Sequence, residues 1–399
     1  MTSPARMPWR FVLALSFTQL ISYGTLFYSF AILIEPMEQE LGLSRSALSG
    51  AYSLSLIASA FFAVPIGRLI DRGYGRRVMA CGSALAGLFL VLWAHADQYW
   101  SIVLIWLGLG AVTSAVFYEA SFAVLTLHLG LMVRRGITIM TLVAGFASTV
   151  FIPLLHWLIE LYGWRGALLV LAALNIGVCA LVHALIVPNL RRERGDGSAH
   201  HPAAAVSDPR RVLRKPAFWF FVGTFVLQGV ISIGISVHLI PLLLERGFTL
   251  EMAVAAYAVI GPAQVAARFL TGFGERGLSL TTIGLATMAI CTLAFLLLPF
   301  IPAGTWLILG FAALYGAANG MITIVRALLP PELFGREDYG TVQGMIAMPI
   351  RLTTAMAPFL FGALWAWSGS YSSVMILCLG MAACSLAFFL AVLMQQKGR

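Results

Sequence analysis

The stretch Gly67-Arg68-Leu69-Ile70-Asp71-Arg72-Gly73-Tyr74-Gly75-Arg76-Arg77 is a short, basic, glycine-rich connector between two apolar runs, near residues 48–70 and 78–95. Each run has the roughly 20 residues that an α-helix needs to cross a bilayer. Lipid offers the backbone no hydrogen-bond partner, so a helical hairpin turning at a charged loop keeps every peptide group paired. Working outward, the same pattern recurs near 11–35, 100–126, 136–158, 165–187, 217–243, 252–272, 279–300, 305–328, 340–366 and 371–394. Twelve spans are therefore expected. The 399 residues are 60% hydrophobic and 10% charged, against about one quarter charged in soluble domains. The fold class that follows is an all-α membrane protein whose natural partner is the lipid bilayer.

Charge placement predicts orientation. Of the 25 Lys and Arg residues, twenty fall in loops and tails on one side, Arg45, Arg165 and Arg246 fall on the other, and Arg268 and Arg351 fall within spans. The positive-inside rule then puts both termini in the cytoplasm, with a bacterial inner membrane as the expected address. The net charge of +9 is accounted for by topology, and no nucleic-acid partner is expected. The N-terminus has no signal-peptide cleavage pattern, so the first span is expected to stay. Five cysteines and seven histidines show no metal-ligand spacing. The only lysines are Lys215 and Lys397, and no GxxxxGKS or GxxxxGKT segment is present to cradle a nucleotide phosphate. Neither metal nor cofactor nor enzyme chemistry is expected, and any driving force must come from gradients or a separate subunit.

The polar stretch 188–215, rich in Gly, Ala, Pro and Arg, reads as a cytoplasmic linker between a six-helix bundle at 1–187 and a second at 216–399. The two halves look like copies. Ala51-Tyr52 and Gly67 recur 205 residues later as Ala256-Tyr257 and Gly272, Pro153 recurs as Pro358 at the same offset, and Ile21-Ser22-x-Gly24 echoes Ile231-Ser232-x-Gly234. Two parallel six-helix repeats rocking about a midplane site form a known transporter architecture.

With these residues in view, the chain resembles the major facilitator superfamily over nearly its whole length. The 67–77 connector is similar to that family's GxLxDRxGRR signature, with one residue inserted before Gly75. The resemblance implies a latch on the cytoplasmic side, with Asp71, Arg72 and Arg76 as gate residues; a solvated basic loop is the alternative. Gly272-Phe273-Gly274-Glu275-Arg276 resembles a degraded second copy. Gln264-Val265-Ala266-Ala267-Arg268 is similar to the eighth helix of the monocarboxylate porters, where an Asp and an Arg lie four apart and the Arg binds the substrate carboxylate. Arg134-Arg135 followed by Ala144-Gly145 fits the spacing of their fifth-helix motif. The first-helix DGGWGW signature and lysine of that group are missing, and Gln264 stands in place of the acid. Carboxylate binding thus carries over to Arg268, and proton handling does not carry over to position 264.

Three charges lie deep in spans: Glu119, Arg268 and Arg351. A charge at mid-bilayer costs about 2.5–3.5 kcal/mol on insertion scales and usually faces a bundle interior or a water-filled route. A guanidinium stays charged at any relevant pH and pairs bidentately with a carboxylate. Gln264, Arg268 and Thr271 fall on one helical face. Arg351 is either a second anchor or a structural cation. Glu119 is either a proton-coupling group, a permanent partner for a deep arginine, or a contact for a cationic cargo. Ser114, Tyr118 and Ser121 are expected on one face of the fourth helix, with Tyr118 and Glu119 about 100° apart. Tyr23, Tyr28, Tyr118, His238 and Asn319 lie in helices that line the central cavity in the resembling family, either orienting substrate or satisfied between helices. The leading expectation is a monomeric secondary transporter moving a small organic anion, a monocarboxylate by resemblance, by alternating access, with proton symport as a further expectation. The competing expectation is a proton-driven efflux pump for hydrophobic or cationic compounds. The fifth-helix stretch 144–153 lacks the GPxxG-like motif typical of that class.

Overall fold

Helices account for nearly all of the chain, and no strand occurs among the described residues. A computed structural model describes residues 7–188, 210–273, 279–335 and 338–397. Ten helical runs are long and apolar enough to cross a membrane. Two of them, Ala47–Ala94 and Val133–Ile186, hold 48 and 54 residues, more than twice the rise needed for a hydrocarbon core about 30 Å thick. Each is divided by a left-handed glycine, Gly73 (φ 85°) in one and Gly163 (φ 66°) in the other. The described chain thus makes twelve crossings.

In chain order these are α1 (Trp9–Leu41), α2 (Arg45–Leu69), α3 (Gly75–Ala94), α4 (Tyr99–Leu129), α5 (133–162), α6 (164–186), α7 (Pro216–Glu245), α8 (Leu250–Phe273), α9 (Leu280–Leu297), α10 (Ile308–Phe334), α11 (Tyr339–Ser368) and α12 (Tyr371–Lys397). Local chemistry sets several of the ends. The Ser44 and Ser279 hydroxyls accept the N–H groups of Ala47 and Thr282 at the starts of α2 and α9, caps typically worth about 1 kcal/mol. Pro216 opens α7, where its missing N–H has no helical partner to lose.

The chain forms two compact units, Met1–Asp208 with Arg336–Met348, and Pro209–Gly335 with Pro349–Arg399. The first turns of α11 therefore go with the first unit, whereas the sequence places all of 216–399 in the second. Most of the 188–215 linker, and Gly274, Glu275 and Arg276, lie outside the described residues.

Within the first unit, α2 and α4 touch backbone to backbone: a Cβ added to Gly110 would lie 2.0 Å from the Ser55 carbonyl oxygen. Within the second, α8 and α10 do the same, with Gly316 against Ile260 at 2.7 Å. Ile260 follows Ser55 by 205 residues, the repeat offset seen in the sequence. Links between helix ends are matched as well. Glu40 accepts from the Trp164 indole and pairs with Arg165 at 2.8 Å, tying α1 to α6. Glu245, 205 residues on, accepts from the Trp365 indole, Ser370 Oγ and the Tyr371 N–H, tying α7 to α11 and α12.

Candidate functional site

In the second unit, glycines on α10 bring its backbone against α8. One turn beyond Gly316, a Cβ on Gly320 would sit 2.5 Å from the Gln264 carbonyl oxygen and 2.7 Å from its Cα. This close crossing sets the position of Arg268, a charge only 7% exposed. Its Nε donates to the Gly320 carbonyl at 3.1 Å, and Nη2 donates to Gln264 Oε1 at 3.4 Å. The i, i+4 spacing read from sequence thus becomes a side-chain pair. Both of these acceptors are neutral groups, and they orient the guanidinium. Thr271, the third member of the expected polar face, turns its hydroxyl back onto the Ala267 carbonyl at 2.7 Å.

Asn319 precedes Gly320, and its Oδ1 accepts from Ser232 Oγ at 3.1 Å, linking α10 to α7. Tyr315 is buried among Phe295 and Phe311. Arg351 is half-buried in α11, just past Ile350, whose side chain packs with Thr354 on Gly229 of α7. His238 is brought to a different place. Its Nε2 donates to the Pro358 carbonyl at 3.0 Å, which leaves Nδ1 of the neutral ring to accept from the Tyr371 hydroxyl at 2.9 Å. Both ring nitrogens are engaged in tying α7 to α11 and α12.

In the first unit, α4 is broken in mid-course. Phe117 is extended (φ −83°, ψ −175°), and a new helix starts at Tyr118 with Glu119 in its first turn. A carboxylate belongs at such a start, because the N-terminal end of the helix dipole is positive. A break within lipid leaves backbone groups to be satisfied. Gln19 of α1 supplies one partner: its Nε2 donates to the Val116 carbonyl and to Ser121 Oγ. Gln19 is fully buried and was not among the residues expected from sequence; the only signal for it is a lone amide in an apolar run.

The break corrects the expected face. Ser114 and Tyr118 lie in different helical segments, so i, i+4, i+7 spacing no longer applies. Ser114 Oγ donates to the Ser59 carbonyl of α2 at 2.7 Å, and Ser121 meets Gln19. Tyr118 stacks on Phe122 and leans on Tyr23, with ring centroids 4.9 and 4.6 Å apart. Tyr23 lies flat on Phe117 at 4.4 Å, and Tyr28 meets Phe27 edge-on at 5.1 Å.

The 67–77 connector also has a defined geometry within the first unit. Asp71 accepts from the N–H of Gly340 at 2.7 Å and from the N–H and hydroxyl of Thr341 at 2.6 and 2.7 Å. A carboxylate thereby caps the positive start of α11. Gly67 permits this, since a Cβ there would overlap the Gly340 carbonyl. Arg76 donates to the Val187 and Leu185 carbonyls at the end of α6, and Arg72 is exposed. Among the described residues, no three His, Cys, Asp or Glu side chains gather as a metal site would require.

Comparison with known proteins agrees with this architecture. The family model for the Major Facilitator Superfamily matches residues 15–358. Monocarboxylate transporter 13 of Rattus norvegicus is 26% identical over 366 residues, covering 90% of this chain and 81% of the relative. The gentisate transporter of Corynebacterium glutamicum is 26% identical over 403 residues, covering 97% and 86%. The fold is similar to that of the E. coli fucose:proton symporter, with a TM-score of 0.71 at 14% identity over 96% of this chain and 98% of that one. It is equally similar to the human organic anion transporter MFSD10, with a TM-score of 0.71 at 16% identity over 97% and 100%.

Proposed function

As a member of the Major Facilitator Superfamily, this chain is a multi-pass membrane transporter and not an enzyme, and we propose that its cargo is a small organic anion, a monocarboxylate, carried by alternating access. The observation that carries this reading is Arg268: a buried guanidinium held in place by the Gln264 amide and the Gly320 carbonyl. Burial strengthens its attraction for an anion, and the planar fork suits a carboxylate. Relatives named as monocarboxylate and gentisate transporters support the same cargo class. Gln264 and Asn319 are polar neighbours along the same crossing and orient the cargo, with Arg351 as a second cationic anchor in α11.

Asp71, with Arg72 and Arg76, acts as the gate: releasing the start of α11 exposes two N–H groups and a carboxylate that closure pairs again. Glu119, at the start of the second segment of α4, takes the coupling proton when the cargo is bound. The transporter sits in a bacterial-type inner membrane with both termini in the cytoplasm and works as a monomer. His238 holds α7 to α11 and α12 through Pro358 and Tyr371.

Uptake into proteoliposomes tests the anchor. Arg268→Ala is expected to lower carboxylate uptake at sub-saturating concentration by about ten-fold or more, matching the ~1.5–3 kcal/mol of a charge-assisted hydrogen bond. Arg268→Lys keeps the charge but loses the fork and is expected to fall between the two. Undiminished uptake by Arg268→Ala refutes the proposal.

A further inference from the structure

The six residues that precede α7, Arg210-Arg211-Val212-Leu213-Arg214-Lys215, hold four cations and no acid. They are built into the second unit as a single helical turn, Arg210–Leu213, followed by a bend at Lys215, which is extended (φ −84°, ψ 120°). Pro216 imposes that bend, because its ring keeps the preceding residue out of the helical region. Backbone bonds carry the turn into α7: the N–H groups of Arg214, Lys215 and Phe218 donate to the carbonyls of Arg211, Val212 and Lys215 at 3.2, 3.0 and 3.0 Å. The Trp219 indole then pins the turn by donating to the Leu213 carbonyl at 2.8 Å. Val212 is buried beneath it, and Trp219 itself is 56% exposed. An exposed tryptophan in the first turn of a spanning helix belongs at the headgroup level of a bilayer, and the turn bonded to it lies at that level too. Arg211 and Arg214 are exposed there and Lys215 is half-buried. Among the described residues, none of these three side chains has a hydrogen bond or an ion pair. The opposite end of α7 is different. Arg246 donates to the Leu298, Pro299 and Ile301 carbonyls, so its guanidinium is already engaged.

We propose that this pinned turn is a binding site for the headgroup of an anionic phospholipid. Three unpaired cations on a backbone fixed at the membrane surface give a lipid phosphate its partners, and the two guanidinium forks suit its oxygens. Each cation close to an anionic lipid surface strengthens association about five-fold, or about a hundred-fold for three, less what salt screens. Trp219 completes the site, with its ring beside the upper part of the acyl chains. A zwitterionic lipid offers the same phosphate with its charge cancelled, so net charge is what the turn selects. The proposal involves only residues of the second unit, and it does not depend on the identity of the cargo.

The experiment titrates the full chain in detergent with phosphatidylglycerol and with phosphatidylcholine of matched acyl chains, and reads the bound lipid by native mass spectrometry. Wild type is expected to show a Kd for phosphatidylglycerol about ten-fold or more below that for phosphatidylcholine. Replacing Arg211, Arg214 and Lys215 together with Gln should collapse that ratio, and the pair Arg211→Lys with Arg214→Lys, which keeps the charge, should preserve most of it. The control is Arg10→Gln, Arg77→Gln and Arg135→Gln together, which removes the same charge from exposed positions of the first unit and should leave the ratio in place. Equal Kd values for the two lipids in wild type overturn the proposal without needing any variant. A full ratio in the Gln triple variant of the turn overturns it as well. An equal collapse in the first-unit control assigns the preference to net charge and overturns this site. Loss of the phosphatidylglycerol adduct in ammonium phosphate, with its retention in ammonium acetate of equal ionic strength, makes this a site for a small free anion and overturns the lipid assignment.

Discussion

Replacing Gly320 with alanine puts one methyl group into the α8–α10 crossing. The new Cβ would lie 2.5 Å from the Gln264 carbonyl oxygen and 3.0 Å from its carbonyl carbon, roughly 1 Å short of comfortable contact. These are backbone atoms and cannot rotate away, so the helices must part. Overpacking of this kind costs about 1–3 kcal/mol in stability. Parting also carries the Gly320 carbonyl off Arg268, whose bond to it is already 3.1 Å long. A lost hydrogen bond to a charged group corresponds to about 1.5–3 kcal/mol, or roughly ten-fold to more than a hundred-fold in carboxylate KM. Gly316→Ala is the control. Its Cβ would meet Ile260 at 2.7 Å and Ala263 at 2.9 Å, giving similar strain one turn away from the arginine. Thermal melting and concentration-dependent uptake are measured on both. Both variants should melt lower, and only Gly320→Ala should raise KM strongly. Equal KM changes in the two, or wild-type KM in Gly320→Ala, would sink the idea that this crossing aims Arg268.

Asp71→Asn removes the charge and one of the acceptor oxygens that hold Gly340 and Thr341; uptake rate is expected to fall about ten-fold or more, with equilibrium binding of the acid little changed. Glu119→Gln is expected to leave uptake in place but make it indifferent to an imposed pH gradient, and a gradient response equal to wild type would count against coupling at this residue. Gln19→Leu leaves the Val116 carbonyl without its α1 donor, which should cost about 1–3 kcal/mol and show as a lower melting temperature; an unchanged melt would mean that the break in α4 is held by something else.

Much of the fold is legible because lipid is a demanding solvent: an apolar run of about 20 residues has few alternatives to a helix. The Gln264–Arg268 pair is legible for the same local reason, since residues four apart on a helix are neighbours. The break at Phe117 is not. Nothing between Thr113 and Ala120 is Gly or Pro, so no local preference marks it; it depends on Gln19, nearly a hundred residues earlier, to take the Val116 carbonyl. With the break go the shared face expected for Ser114, Tyr118 and Ser121, and the aromatic stack that replaces it. Gly316 and Gly320 were equally hidden, being two of 38 glycines that become distinctive only when another backbone lies against them. His238 reads as a lone titratable group until α11 and α12 bring Pro358 and Tyr371 to its two nitrogens.

The matched crossings of α2 with α4 and α8 with α10 divide labour between two copies of one design. In the first copy, the position corresponding to the Gln264–Gly320 contact is the hydroxyl pair Ser59 and Ser114, 3.3 Å apart, and Ala63 stands where the other copy has Arg268. At this crossing one copy keeps hydroxyls and a methyl group while its twin carries a buried charge. The hydroxyl-bearing twin is thus a built-in reference for what the shared backbone tolerates at the position where the other copy holds a charge.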